Sequence, residues 1–385
     1  MKKRNLICAE AAFIVCLFTA GCEKPEDEGD PVLGKLGGVN FAVPAVPQGF
    51  KNDISADELA ADIKIGWNLG NTLDAYPNGE TSWDNPLTTK EMITAIKEAG
   101  FNTIRIPVSW HQTADSHYNI SESRIMRVVE IVNYAAENDL YIILNTHHDE
   151  QIFKFMDKDM EESKKAFSKI WGQISHVFKN YNEKLIFEGL NEPRTIKSPM
   201  EWNGGTAEEH NNLNAMYQLF TDTVRASGGN NGKRVLMIAT YAASAAQSAM
   251  DALKIPDDPD NSVNKFIVSI HSYSPHNFTG TENKTYNIWD KNSNADTFDI
   301  TDWIDRAYAK FTANGYPVIG GEFGAVDKGN EQARAEWAEF YVSYAKSRDI
   351  KCIWWDDGGW FRLFNRNTGQ FYFPLIHEAL MRGVR

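Results

Sequence analysis

Positive charge, cysteine and long apolar runs are what this chain has least of. Its 39 Lys and Arg stand against 52 Asp and Glu, a formal net charge of −13. That imbalance excludes a surface built for nucleic acid or an anionic membrane, where association depends on basic patches. Only four cysteines occur in 385 residues. Cys8 and Cys16 fall inside an N-terminal targeting segment and Cys22 ends it, so Cys352 is left alone and an intramolecular disulfide in the mature domain is excluded. No HExxH spacing is present, and no glycine pattern suited to gripping phosphate follows the first strand-like run. Internal repeats and a second domain are also missing.

What is present begins with that targeting segment. Lys2, Lys3 and Arg4 precede a mostly apolar stretch from Leu6 to Phe18, and Thr19-Ala20-Gly21-Cys22 closes it with small residues before a cysteine. The arrangement resembles a bacterial lipoprotein signal spanning residues 1–21, with Cys22 as the lipidated first residue. Removing residues 1–21 takes away three positive charges and one negative, leaving −15. Residues 22–52 are acidic and rich in proline and glycine, which reads as a tether holding the following domain off a membrane. The acidic run after Cys22 also resembles the signals of lipoproteins displayed on the outer cell surface. Localisation in the cell envelope, at the outer membrane or the surface, is the expectation.

Residues 53–385 alternate between apolar, mainly β-branched runs and amphipathic stretches. Strands are expected over 63–71, 101–108, 140–145, 185–190, 234–240, 266–271, 317–324 and 352–356. Helices lie between them, and two have readable starts: Ser55 with Glu58, and Thr88 with Glu91, form capping boxes. Eight strands buried on both faces and separated by helices are what a closed parallel (β/α)8 barrel requires. An open doubly wound sheet is the alternative, and it lacks its glycine fingerprint. The long spacing predicts extended loops at the C-terminal face, where barrel enzymes place their chemistry.

The ends of these strands carry Asn68 and Asn71, Arg105, His147 and His148, Asn191 and Glu192, His271 and Tyr273, Glu322, and Trp354 and Trp355. Glu192 ends the run LIFEGLNEP before Pro193, and Glu322 ends PVIGGEFG. Two strand-end glutamates are the minimum for cleaving a glycosidic bond with retention, one protonated toward the leaving oxygen and one ionised toward the anomeric carbon. Which glutamate does which is open from the residues alone. Arg105 and Tyr273 are the expected donors to the nucleophile, and Asn191 the partner of a substrate 2-hydroxyl. His147-His148-Asp149 raises the question of a metal, but adjacent strand residues face opposite ways, so hydrogen-bonding roles around the carboxylates are expected and neither metal nor cofactor is. The chain has 11 Trp, 14 Tyr and 21 Phe, a supply of planes on which sugar rings can stack. Trp67, Trp83, Trp110, Trp202, Trp355 and Trp360 lie near strand ends or loops; several are expected to line subsites, Trp355 first.

The motifs GWNLGNTLDA (Gly66 to Ala75), TIRIPVSW (Thr103 to Trp110), LNTHHD, FEGLNEP, HSYSP, GGEFG and WWDDGG together resemble glycoside hydrolase family 5, notably its subfamily 4 of endoglucanases and xyloglucanases. The likeness runs from about Ile54 to Gly383. It implies a retaining endo-β-1,4-glucanase on a (β/α)8 barrel, with no cofactor, acting on a soluble or decorated β-glucan. An endo-mannanase or xylanase with the same machinery is the nearest rival, and a non-catalytic surface glycan-binding protein the rival from another class. The resemblance also implies roles: Glu192 as acid/base, Glu322 as nucleophile, and Arg105, His147, Asn191, His271, Tyr273 and Trp355 as further active-site positions. Asn71, Trp83 and His148 match positions typical of the subfamily. WWDDGG stands where WWDNG is common, and HSYSPHNF replaces a more aromatic HxYxPYxF; both departures lie beside subsites and bear on substrate preference. A monomer is the default for an enzyme that admits a polymer along an open groove.

Overall fold

The structure is a computed structural model that describes residues 49–77, 79–281 and 283–385. The signal segment, Cys22 and most of the tether lie outside the described residues. Strands β1 (Gly66–Asn68), β2 (Thr103–Ile106), β3 (Tyr141–Asn145), β4 (Leu185–Glu188), β5 (Leu236–Ala239), β6 (Phe266–His271), β7 (Val318–Phe323) and β8 (Lys351–Trp354) close in sequence order into a barrel. Every neighbouring pair is parallel, β1 with β8 included. The barrel, not the open sheet, is the architecture.

Local signals open the helices. Ser55 caps α1 (Ala56–Asp62) in a reciprocal capping box with Glu58, as its spacing predicts. The next start differs by one residue: Thr89, not Thr88, caps α2 (Lys90–Glu98), because the Thr88 amide is taken by the buried Glu80 carboxylate at 2.7 Å. Gly100, with φ +102°, ends it as expected. Then follow α3 (Glu122–Glu137), α4 (Met160–Phe178), α5 (Ala207–Ala226), α6 (Gln247–Ala252), α7 (Asn294–Lys310), α8 (Glu331–Ser347) and α9 (Pro374–Gly383). Helix α5 begins at a second reciprocal capping box, formed by Thr206 and Glu209. The sequence reading did not anticipate α9, which is tied to α8 by Arg382 and Glu339 at 2.9 Å.

Inside the barrel, side chains two residues apart on a strand share a face. The lower layer is apolar: Ile143, Ile186, Met237, Ile267, Ile319 and Ile353 form one buried cluster with Ala56, Leu59 and Ile63 of the α1 segment, which plugs the base. Each such side chain contributes about 1.5–3 kcal/mol. Two residues further along the same strands come Asn145, Glu188 and Ser269, all fully buried and all polar. The change from isoleucine to polar groups marks where packing gives way to chemistry. Contact with the barrel base begins before the expected boundary at residue 53: the Lys51 amide bonds Glu183 at 3.2 Å, and Lys265 holds the Asn52 carbonyl at 2.8 Å.

Candidate active site

Arg105 is the hub. Projecting inward from β2 with no solvent exposure, it spreads its guanidinium over four partners: Glu188 Oε2 at 2.7 Å, Asn68 Oδ1 at 3.1 Å, Glu322 Oε1 at 2.8 Å and Asn191 Oδ1 at 2.7 Å. Burial opposes its charge, but Glu188 and Glu322 outweigh that and raise its pKa further, so it is a permanent cation. Glu188 is itself held by Asn145 Nδ2 and Ser269 Oγ, each at 3.0 Å. The second oxygen of Glu322 accepts from the Tyr273 hydroxyl at 2.9 Å. Burial first, then Glu322, pushes the Tyr273 phenol well above its usual range, so it remains a donor. Both donors expected for the nucleophile therefore converge on Glu322.

Glu192 sits differently. It lies beyond β4, where Asn191 N–H bonds Thr146 O at 3.0 Å and Pro193 O accepts from Ala242 at 2.8 Å. His271 Nδ1 is 3.0 Å from Glu192 Oε1 and 3.7 Å from Glu322 Oε1, so one imidazole stands between the carboxyls. One ligating atom of each of the three residues lies within 4.8 Å of the others. Register shifts beside Ile270 and His271 on β6, and between Gly320 and Phe323 on β7, bring His271 opposite Glu322. Bulges re-aim strand-end side chains in this way. His271 Nε2 is buried without a partner, packed where a Cβ on Gly321 would approach to 2.8 Å. Burial pushes the Glu192 carboxyl up, but the His271 hydrogen bond and the charges of His271, Arg194 and His148 prevail, leaving it below the usual glutamate value in the open cleft.

The chain's residues 69–359 match the family model described as cellulase, glycosyl hydrolase family 5. The chain belongs to glycosyl hydrolase family 5. It is 44% identical over 341 residues to Cellulase/esterase CelE of Acetivibrio thermocellus, covering 86% of this chain and 41% of that protein. It is 38% identical over 358 residues to Endoglucanase B of Clostridium cellulovorans, covering 91% and 80%. The chain thus spans well under half of the first relative's length, whereas solved structures are matched almost end to end. A GH5-4 broad specificity endoglucanase from Ruminococcus champanellensis with bound cellotriose superposes with a TM-score of 0.81 at 42% identity, covering 85% of this chain and 99% of that one. Its counterpart from Clostridium acetobutylicum gives 0.81 at 42%, covering 85% and 99%.

Around the two glutamates, the family 5 cleft sorts the remaining residues. His147 does not reach either carboxylate: it stacks against Trp355 with ring centroids 5.8 Å apart and planes 2° from parallel, and its Nδ1 meets Asn145 Nδ2 at 3.1 Å. Burial drives its pKa well below the usual value, so it is neutral. His148 faces Glu150 at 3.5 Å. Neither histidine is paired with Glu192 or Glu322, so the hydrogen-bonding role expected of them around those carboxylates falls instead to His271, Arg105 and Tyr273. Asp149 turns away altogether, to the Trp110 and His111 amides and the His111 ring. Asp74, His147 and His148 bring ligand-type atoms within 4.8 Å, yet Asp74 already accepts the Asn71 and Thr72 amides, a poor donor set for a cation. Asn71 adopts φ +53°, and its carbonyl accepts from Asn85 Nδ2 at 2.9 Å. Trp83 meets Tyr76 and His148 at centroid distances of 5.3 and 5.9 Å.

The tryptophans divide by burial. Trp67 and Trp110 are core, their indole N–H groups bonded to Asp356 and to the Asn145 carbonyl. Trp202 and Trp360 are 59% and 60% exposed, and Trp202 lines a cavity of about 400 Å³ together with Glu192, His271 and Tyr273. Sequence reasoning missed Glu188, Asn145, Ser269 and Arg194. For Glu188 a signal existed: a carboxylate in the apolar strand LIFE, on the inward face two residues after Ile186.

Proposed function

We propose that this chain cleaves internal β-1,4-glucosidic bonds of soluble or branched β-glucans with retention of configuration, Glu322 as nucleophile and Glu192 as acid and base. The observation that carries this is the unequal treatment of two neighbouring carboxyls whose oxygens approach within 4.8 Å. Retaining chemistry needs the carboxyl groups about 5–5.5 Å apart, whereas inversion needs room for a water between them. Glu322, its two oxygens hydrogen-bonded by Arg105 and Tyr273, is the group that attacks the anomeric carbon. Glu192, on the cavity side, gives its proton to the departing glycosidic oxygen. With the glycosyl ester formed, Glu192 takes a proton from water, which attacks the same carbon and frees Glu322. Arg105 fixes the Asn191 amide through Oδ1, so its NH2 is the group offered to the sugar 2-hydroxyl. Relatives named endoglucanases, and the cellotriose in the Ruminococcus champanellensis structure, support glucan as substrate.

The test is to size products from xyloglucan, mixed-linkage glucan, carboxymethylcellulose, glucomannan and xylan over time. Early mid-length oligosaccharides from a glucan support endo-glucanase action; cleavage of mannan or xylan alone overturns the substrate. A Glu322→Ala protein that cleaves at the wild-type rate, or Glu192→Gln at full rate on polysaccharide, overturns the roles. We also propose export with a lipid anchor at Cys22 and a monomeric enzyme. Fatty-acid labelling that survives Cys22→Ala, or a dimer mass in sedimentation, would refute those two points.

A further inference from the structure

A guanidinium beside a carboxyl that must keep a proton has the wrong sign, because an opposite charge within about 4–6 Å favours ionisation. Arg194 is such a group. Its Nη1 lies 3.6 Å from Glu192 Oε2 and donates to the Glu192 carbonyl at 2.9 Å. The steps above do not use it. Two further carboxylates flank it, Glu150 Oε1 at 3.4 Å from Nη1 and Glu201 Oε1 at 3.2 Å from Nε. All three side chains are at most one-fifth exposed, so screening is weak. The Arg194 guanidinium also lies over the Trp202 ring, 4.4 Å from its centroid, and that exposed indole walls the cavity into which Glu192 faces.

We propose that Arg194, Glu150 and Glu201 form an ion-paired clamp that fixes Trp202 as the wall of the leaving-group side and sets the pH at which Glu192 releases its proton. This rests on Glu192 being the acid/base. Arg194 is a positioning residue: its guanidinium over one face of the indole holds Trp202 against sugar, while the two carboxylates oppose the charge that would otherwise strip Glu192. Other groups face Glu192 from every side: His271 from the end of β6 and Tyr273 from the loop after it, Glu322 from β7 with Arg105 behind it, His148 from the loop after β3, and Asp299, Asp302 and Arg306 across the cavity. Among the described residues, Glu150 and Glu201 are the carboxylates besides Glu192 that pair with Arg194.

The experiment is the pH profile of kcat/KM for the full chain, on a soluble glucan and on an aryl cellobioside whose leaving group needs no protonation or platform. Glu201→Gln removes one of the two negative charges that oppose Arg194, so the basic limb on glucan moves down by about half a unit or more while the acidic limb stays. Arg194→Met moves the basic limb up, and its loss on glucan exceeds its loss on the aryl substrate by about threefold or more as Trp202 loses its backing. Arg194→Lys keeps the charge but not the planar stack, so it restores the limb and not the glucan rate. An unmoved or rising basic limb in Glu201→Gln overturns the proposal, as does Arg194→Met with an unmoved limb and equal losses on both substrates. Full glucan activity in Glu192→Gln overturns the acid/base reading as well; missing limb shifts with Glu192→Gln inactive overturn this proposal alone.

Discussion

Replacing Glu188 by glutamine removes one charge from the centre of the barrel while keeping its volume. Glu188 has no solvent exposure and accepts three hydrogen bonds, from Arg105 Nε and Asn145 Nδ2 on one oxygen and from Ser269 Oγ on the other. A glutamine carbonyl can keep the first two, and the Ser269 hydroxyl can turn to accept from the new NH2. The loss is therefore electrostatic. Breaking a buried ion pair from one side costs about 3–5 kcal/mol; Arg105 keeps Glu322 at 2.8 Å, which puts this case near the lower end, about 3 kcal/mol. Catalysis suffers separately. With Glu188 neutral, Arg105 binds Glu322 more tightly, and a nucleophile held harder in the ground state attacks more slowly, by about ten- to a hundredfold in kcat. Urea unfolding measures the first quantity and steady-state kinetics on a soluble glucan the second. Stability within 1 kcal/mol of wild type together with kcat within about twofold would show that Glu188 is a spectator and the reasoning wrong.

Three further outcomes follow from the site. Tyr273→Phe removes one donor from the Glu322 carboxylate and should lower kcat/KM about ten- to a hundredfold with unchanged stability; a smaller loss in the kinetics means the 2.9 Å bond is idle. Gly321→Ala places a Cβ 2.8 Å from His271 Nε2 and Ser269 Oγ, so it should fold yet lose activity at least tenfold by pushing His271 off Glu192, and a crystal structure with His271 unmoved would refute the cause. His147, held well below the usual histidine pKa by burial, binds no proton in the folded state near neutrality while the unfolded chain does below about pH 6.5. Its contribution is present above that pH and lost as pH falls, at up to about 1.4 kcal/mol per unit, so wild type should lose more stability than His147→Gln between pH 7 and pH 5 in parallel urea titrations.

Much of this protein could be read before its structure. Strands buried on both faces appear as apolar runs, so all eight and their order are visible, and with them the strand ends that carry Arg105, Glu192, Tyr273 and Glu322. Capping chemistry is local, which is why Ser55 with Glu58 is legible; Thr89 displaced Thr88 because a carboxylate eight residues upstream claimed an amide, a contact set by the loop's fold. Burial of the tryptophans was not legible, since an indole in a loop looks the same whether it bonds Asp356 in the core, as Trp67 does, or stands over the cavity, as Trp202 does. Nor were the partners of Arg105, which lie 37, 83, 86 and 217 residues away and meet only because the barrel closes. Sequence by itself determined which side chains reach the C-terminal face, because period and punctuation are properties of neighbouring residues. The tertiary structure alone decided which of them touch, and so which carboxyl Arg105 and Tyr273 hold and which faces the cavity beside His271 and Arg194, because those contacts depend on distances between strands that the chain order does not encode.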